Sequence, residues 1–255
     1  MVSAHSASSP RALLSQERIL ATAVEMIEQA GLEKLSMRRL GARLGVEAMA
    51  LYRYFPTRDA LLDAVVERVV EELYQDPEVQ LEPDDGWQDY LRRLAHGVRR
   101  IALRHPQVFP LIATRPPAAP WIKPPLHSLR WVEAFLQALL SRDFTDEAAV
   151  YAYRAFSSFL LGHLLLEVSG KGVKITPVDE PDPDQPGSAG LVRLDARHPQ
   201  LLRLAPRLAA DYTALEFTDA LDNLLQRLDT RQALTHHDLT RQDLAARDQA
   251  VEDQA

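Results

Sequence analysis

Between Ser15 and Ala30 the apolar residues Leu20, Ala23, Val24 and Ile27 stand at i, i+3, i+4 and i+7. That spacing places them on one face of an amphipathic helix, which Gly31 closes. Leu32 and Leu35 lead to Ser36, a good N-cap, and the run SMRRLGARLGVEAMALYRY, Ser36 to Tyr54, then changes character. With Met37 as its first residue, Leu40, Leu44, Val46, Leu51 and Tyr54 fall where two short crossed helices must bury side chains against each other. Gly45 falls at the turn, where positive φ is needed, while Gly41 and Ala42 are small enough for the second helix to approach closely. This is the geometry of a helix-turn-helix, which presents one helix as a probe for a DNA major groove. Pro56 and Thr57 break and restart the chain. The helix that follows carries Leu61, Leu62, Val65, Val66, Val69, Val70 and Leu73, a stripe too wide for a surface helix and suited to joining a small domain to a larger one.

Beyond Trp87 the pattern stays helical, with Trp87 to Arg104, Trp121 to Leu140 and Thr145 to Ser169 as candidate helices, and a later one around Phe217, Leu221, Leu224, Leu225 and Leu228. The proline-rich stretch Ala113 to Pro125 cannot be a continuous helix. Lys171 to Gly190, rich in proline, glycine and acid, reads as a mobile excursion. The segment after Thr230 is polar and frayed or weakly helical. No segment has the alternation of a strand. The expected architecture is all-α: a flexible arm (1–14), a three-helix head with the helix-turn-helix (15–60), a larger helical ligand-binding and dimerisation domain (61–230, with the excursion at 171–190) and a polar tail (231–255).

The net charge of −7 argues against a nucleic-acid partner only until it is divided along the chain. Residues 1–60 hold eight Lys or Arg against six Asp or Glu, a balance of +2 that leaves −9 on the remainder. Cysteine is absent, which excludes disulfides, thiolate zinc sites and cysteine nucleophiles. No apolar run reaches the roughly 20 residues of a membrane span, and the N-terminus lacks a signal-peptide stretch, so a cytoplasmic protein with no membrane partner is expected.

The run LSMRRLGARLGVEAMALYRYFPTRDALLDAVVERV, Leu35 to Val69, resembles the N-terminal domain of TetR-type transcriptional regulators in order and spacing. WQDYLRRLAHGVRRIALRHPQVFPLIATRP, Trp87 to Pro116, resembles the start of the ligand-binding domain in the tetracycline-repressor subgroup. The resemblance implies an all-helical homodimer with a DNA-binding head on each subunit, a core that takes a small-molecule effector, and repression of a palindromic operator relieved when the effector enters. It also implies DNA contacts at Met37 and Arg38, at Glu47, Ala48, Met49 and Ala50 facing the groove, at Tyr52, Arg53 and Tyr54, and at Arg58 near the backbone. Arg38 is the better base reader and Tyr52 a phosphate anchor. Ala48, Met49 and Ala50 offer only apolar contact, so specificity leans on Arg38, Arg53 and DNA shape. Leu40, Leu44 and Leu51 are scaffold, and Arg39 and Arg43 solvated surface charges.

Where tetracycline-responsive members place drug- and magnesium-binding histidines, this chain has Tyr74 and Leu111, and Leu94 and Val98 replace an amide and an aromatic ring. These departures argue against a tetracycline sensor. They suggest a more apolar cavity lined by Tyr74, Leu94, Val98, Leu111 and Ile112, bordered by Trp121, Trp131 and Phe135, for a hydrophobic or aromatic effector. His163 and Glu167, at i and i+4, permit shared metal ligation, but two ligands make no site; no metal, cofactor or catalytic constellation is expected. The apolar stripes on the helices at about 146–169 and 212–229 are candidate dimer seams, or equally internal core. Alternatives left open are a helical ligand-binding or enzymatic protein whose helix-turn-helix does not read DNA, and a DNA-binding activator without effector control.

Overall fold

The computed structural model describes residues 14–79, 86–115, 121–123, 128–171, 173 and 198–252, with side chains to residue 232. Among these residues there are ten α-helices, one 3-10 turn and no strand: α1 (Gln16–Ala30), the 3-10 turn (Leu32–Lys34), α2 (Met37–Leu44), α3 (Ala48–Tyr52), α4 (Arg58–Tyr74), α5 (Trp87–Arg104), α6 (Phe109–Thr114), α7 (Leu129–Leu140), α8 (Asp146–Gly170), α9 (Pro199–Leu208) and α10 (Thr213–Glu252). The expected N-terminal arm, apart from Leu14, and the acidic excursion, apart from Lys171 and Val173, lie outside the described residues.

Hydroxyl caps set the starts of four helices. Ser15, Ser36, Thr57 and Thr145 are extended, and each side chain accepts from the backbone N–H three residues on. Each such cap contributes about 1 kcal/mol. In the head, α1 buries Ile19, Leu20, Ala23, Val24 and Ile27 against α2 and α4. An ion pair from Arg68 to Glu17 holds α4 to α1 at the surface. Helix α4 then runs on into the body and packs on α5, so the boundary expected between 60 and 61 falls inside a continuous helix, and head and body share one hydrophobic cluster.

In the body α8 is the central helix, contacted by α5, α6, α7 and α10. By length and composition α8 meets the criterion for crossing a membrane, which corrects the expectation that no run would. Its buried residues, from Ala148 and Ala149 to Leu164 and Val168, are covered by those four helices, as in the core helix of a bundle. Arg99 on α5 clamps Glu167 on α8 through two parallel hydrogen bonds, Nε to Oε2 at 3.0 Å and Nη2 to Oε1 at 2.7 Å, and stands over the Phe217 ring of α10. Glu167 is therefore the partner of an arginine. His163 sits instead against the Phe159 and Phe217 rings.

Three elements depart from expectation. α7 begins at Leu129, not Trp121, because Pro124 and Pro125 cannot lie in a helix interior, and Trp121 is 81% exposed. The short α6 tolerates Pro110 because it falls in the first turn, where an N–H has no partner to lose. α10 continues to Glu252, so the segment expected as a polar tail from 231 is helical up to that residue.

Of the stripe residues, Ala152, Phe156, Leu160 and Leu164 on α8 and Phe217, Leu221, Leu224, Leu225 and Leu228 on α10 are buried within the single chain, and Phe159 is half-buried against the same core. They are internal core. Among the described residues, the large apolar side chains these two helices leave exposed are Val150, Tyr151, Leu166 (75% exposed) and Leu215.

Candidate functional site

The turn of the helix-turn-helix is built as its glycines require. Gly45 adopts φ 74° and ψ 30°, ending α2 in the left-handed region, while Val46 N–H donates to Gly41 O and Gly45 N–H to Ala42 O. A Cβ on Gly41 would stand 2.8 Å from Val46 O, so only glycine lets the turn fold back on α2. Leu40, Leu44 and Leu51 are buried between the helices. Packing them inward leaves the opposite side of α2 and α3 in solvent.

On that solvent side stand Arg38, Glu47, Met49 (74% exposed), Tyr52 (40% exposed) and Arg53, with Ala48 and Ala50 half-buried between them. Among the described residues neither Arg38 nor Arg53 has a protein partner, so both guanidiniums are available to an anionic ligand. Arg39 donates to Lys34 O and Arg43 to Gln29 Oε1, local contacts that fit surface charges.

Three residues expected to touch DNA also have partners within the chain. Met37 is 5% exposed and its side chain belongs to the head core. The Tyr54 hydroxyl donates to Leu14 O at 2.7 Å, tying α3 to the start of α1. Arg58 donates through Nε to Leu35 O and through Nη2 to Leu32 O, closing the turn before α2 onto α4. Each makes a bond across 23 or more residues of sequence or packs in a core assembled from several helices, which spacing within the motif does not reveal.

Beneath the head, α4 to α8 enclose a cavity of about 620 Å³ including its open mouth. α4 lines it with Val66, Val70 and Leu73, α5 with Val98 and Ile101, α6 with Phe109 and Ile112, and α8 with Ser157, Leu160 and Leu161. Ser128 and Trp131 supply the wall at the start of α7. Of the residues expected there, Val98, Ile112 and Trp131 line it. Leu94, Leu111 and Phe135 do not; all three are buried core. The ring of Phe135 stacks on Trp131 and meets Tyr153 and Phe156 edge-on or tilted, so it supports the wall from behind. Tyr74 lies outside the lining, its ring 4.0 Å from the Arg130 guanidinium, and burial pushes its hydroxyl up to about 12.

Two links connect the cavity to the head. The Glu28 carboxylate of α1 accepts from Gln107 N–H at 3.2 Å and Val108 N–H at 3.0 Å, at the N-terminus of α6. At the other end of α6, Arg115 donates to Asp59 O and pairs with Asp63 on α4. Partial burial outweighs the two backbone bonds and raises the Glu28 carboxyl above its ordinary 4.5. The folded chain therefore holds a proton there that the unfolded chain releases, so this group makes stability fall as pH rises through the interval just above 4.5. Glu28→Gln, which keeps an oxygen acceptor and removes the charge, is expected to flatten that slope. Melting curves of both proteins across pH 4 to 7, roughly the range in which such a carboxyl titrates, check it; identical slopes would show that Glu28 carries none of the dependence.

Residues 19–65 match the family described as bacterial regulatory proteins, tetR family, and residues 80–226 match the tetracyclin repressor-like C-terminal domain. The class C tetracycline repressor protein of Escherichia coli is 33% identical over 154 residues, which are 60% of this chain and 65% of the repressor, so less than two thirds of that relative is spanned. A possible TetR family transcriptional regulator from Streptomyces coelicolor superposes with a TM-score of 0.65 at 26% identity, covering 86% of this chain and all of that one. The TetR family protein ActR of the same organism, solved in complex with actinorhodin, gives 0.62 at 26% identity over 87% of this chain and 99% of its own. With a helix-turn-helix head and an all-α body each matched in its own place, the chain belongs to the tetR family of bacterial regulatory proteins.

Proposed function

We propose that the protein is a transcriptional repressor that binds a palindromic DNA operator as a homodimer in the bacterial cytoplasm and leaves it when a small apolar effector fills the cavity. The observation that carries this reading is the double use of α4. Its Leu61, Leu62 and Val65 belong to the core near the head, and its Val66, Val70 and Leu73 form a cavity wall. A ligand that presses on that wall, or on α6 with its links to Glu28, Asp59 and Asp63, acts on the element that positions the head. A second subunit across the exposed apolar residues of α8 and α10 would set two heads at a fixed separation, matching half-sites about 34 Å apart. Tilting α4 by a few degrees would then cost the second contact its effective concentration. Names borne by relatives, a tetracycline repressor and a regulator holding actinorhodin, support an effector-controlled repressor.

The test is selection of bound duplexes from a random pool by the purified protein, followed by anisotropy of the winner across salt concentrations. A two-fold symmetric consensus whose affinity falls steeply with salt is expected. No enrichment over competitor DNA would overturn the reading.

A further inference from the structure

Resting on the reading of the cavity as an effector site, its lining says what kind of molecule enters. Among the described residues no ionisable side chain lines it; the wall is aliphatic and aromatic apart from two serines. Ser128 is 7% exposed and Ser157 1%. The Ser157 hydroxyl shares a side-chain hydrogen bond with Tyr153, whereas the Ser128 hydroxyl oxygen is buried and, among the described residues, has no hydrogen-bond partner. Buried hydroxyls of this kind are rare because each forfeits its bonds to water without replacement. Ser128 occupies the N-cap of α7, where a serine ordinarily accepts from the helix backbone, as Ser15, Ser36, Thr57 and Thr145 do with their hydroxyls in this chain. Here it makes no cap bond. Its hydroxyl is held in the cavity wall, where it serves neither its helix nor, among the described residues, any other protein group.

The adjoining wall is Trp131, its indole stacked on Phe135 at 5.5 Å between ring centres and so held as a flat, apolar surface. A charged ligand would lose its hydration with no counter-charge to meet it, and a pure hydrocarbon would leave the Ser128 hydroxyl unpaired. We infer that the effector is an uncharged, flat aromatic compound carrying at least one carbonyl or hydroxyl oxygen, and that the Ser128 hydroxyl is the group that fixes its orientation.

Three probes test this on the full-length protein by fluorescence titration and competition: a neutral acyl-dimethylaminonaphthalene ketone, the oxygen-free ethylnaphthalene and the naphthoate anion. The ketone is expected to bind, and Ser128→Ala to weaken it about five- to tenfold while leaving ethylnaphthalene unchanged. Naphthoate is expected to bind at least roughly a hundredfold more weakly than the ketone. Ser128→Ala should leave the melting temperature unmoved, since no cap bond is lost, which separates lost contact from lost fold. Equal effects of Ser128→Ala on both neutral probes, or naphthoate binding as tightly as the ketone, would overturn the inference while the cavity remained an effector site. Absence of saturable binding by either neutral probe would remove the cavity as a ligand site, and with it both this inference and the effector half of the proposed function.

Discussion

Arg38→Ala combined with Arg53→Ala is expected to lower duplex affinity by on the order of a hundredfold or more, while the melting temperature stays within about 2 °C of the parent. Both side chains are exposed and have no protein partner among the described residues, so their removal costs the fold nothing that the structure shows. A guanidinium on a base edge contributes roughly 1–3 kcal/mol, and one on a phosphate also contributes a step of salt dependence, so the double variant should show a shallower salt slope as well. Arg58→Ala provides the contrast. Its guanidinium is bonded to Leu35 O and Leu32 O, so its loss should appear in the melting temperature. Anisotropy titrations at several salt concentrations beside thermal melts separate the two patterns. A double variant that binds as well as the parent would take these arginines out of the interface, and an equal loss of folding would make them scaffold.

Phe135→Ala is expected to destabilise the body by about 3–5 kcal/mol, a fall in melting temperature on the order of 10 °C. The ring is fully buried and sits among Trp131, Tyr153 and Phe156 at centre-to-centre distances of 5.5, 5.8 and 5.4 Å. Truncation leaves a void that three large aromatics with one preferred packing cannot close. Because Trp131 leans on this ring, the cavity wall should lose definition at the same time, and binding of a neutral aromatic probe should weaken in step with the loss of stability. A variant with unchanged stability but reduced probe binding would instead make Phe135 a direct ligand contact, contrary to its place behind the wall. Thermal melts and probe titrations on the same preparation decide between the two.

The head was legible in the sequence because its determinants are local. Ser36 capping α2, Gly45 in the left-handed region, Gly41 under the turn and the buried trio Leu40, Leu44 and Leu51 all act within about one and a half dozen residues, where spacing and conformational preference suffice. α5 was legible for the same reason, its ends set at Trp87 and Arg104 as the periodicity indicates. The register of a helix is readable, and so are its apolar stripes.

What those stripes face was decided only by tertiary packing. Leu94 and Val98 lie one helical turn apart on α5 and are equivalent by pattern, yet Leu94 packs into the core and Val98 borders the cavity, because a cavity forms where five helices fail to fill space between them. The stripes of α8 and α10 carry the same ambiguity, resolved in favour of the chain's own core. Polar side chains depend still more on distant partners. Arg58, Tyr54 and Glu28 find theirs 23, 40 and about 80 residues away, and Ser128 and Ser157 meet at one cavity from different helices. The head helices, α5 and their caps, with the turn of the helix-turn-helix, were determined by sequence alone, since these are settled by contacts within one or two turns. Tertiary structure alone decided which arginines have no partner among the described residues, that the Ser128 hydroxyl is left unpaired there and where the empty space lies, since each follows from how separate helices meet.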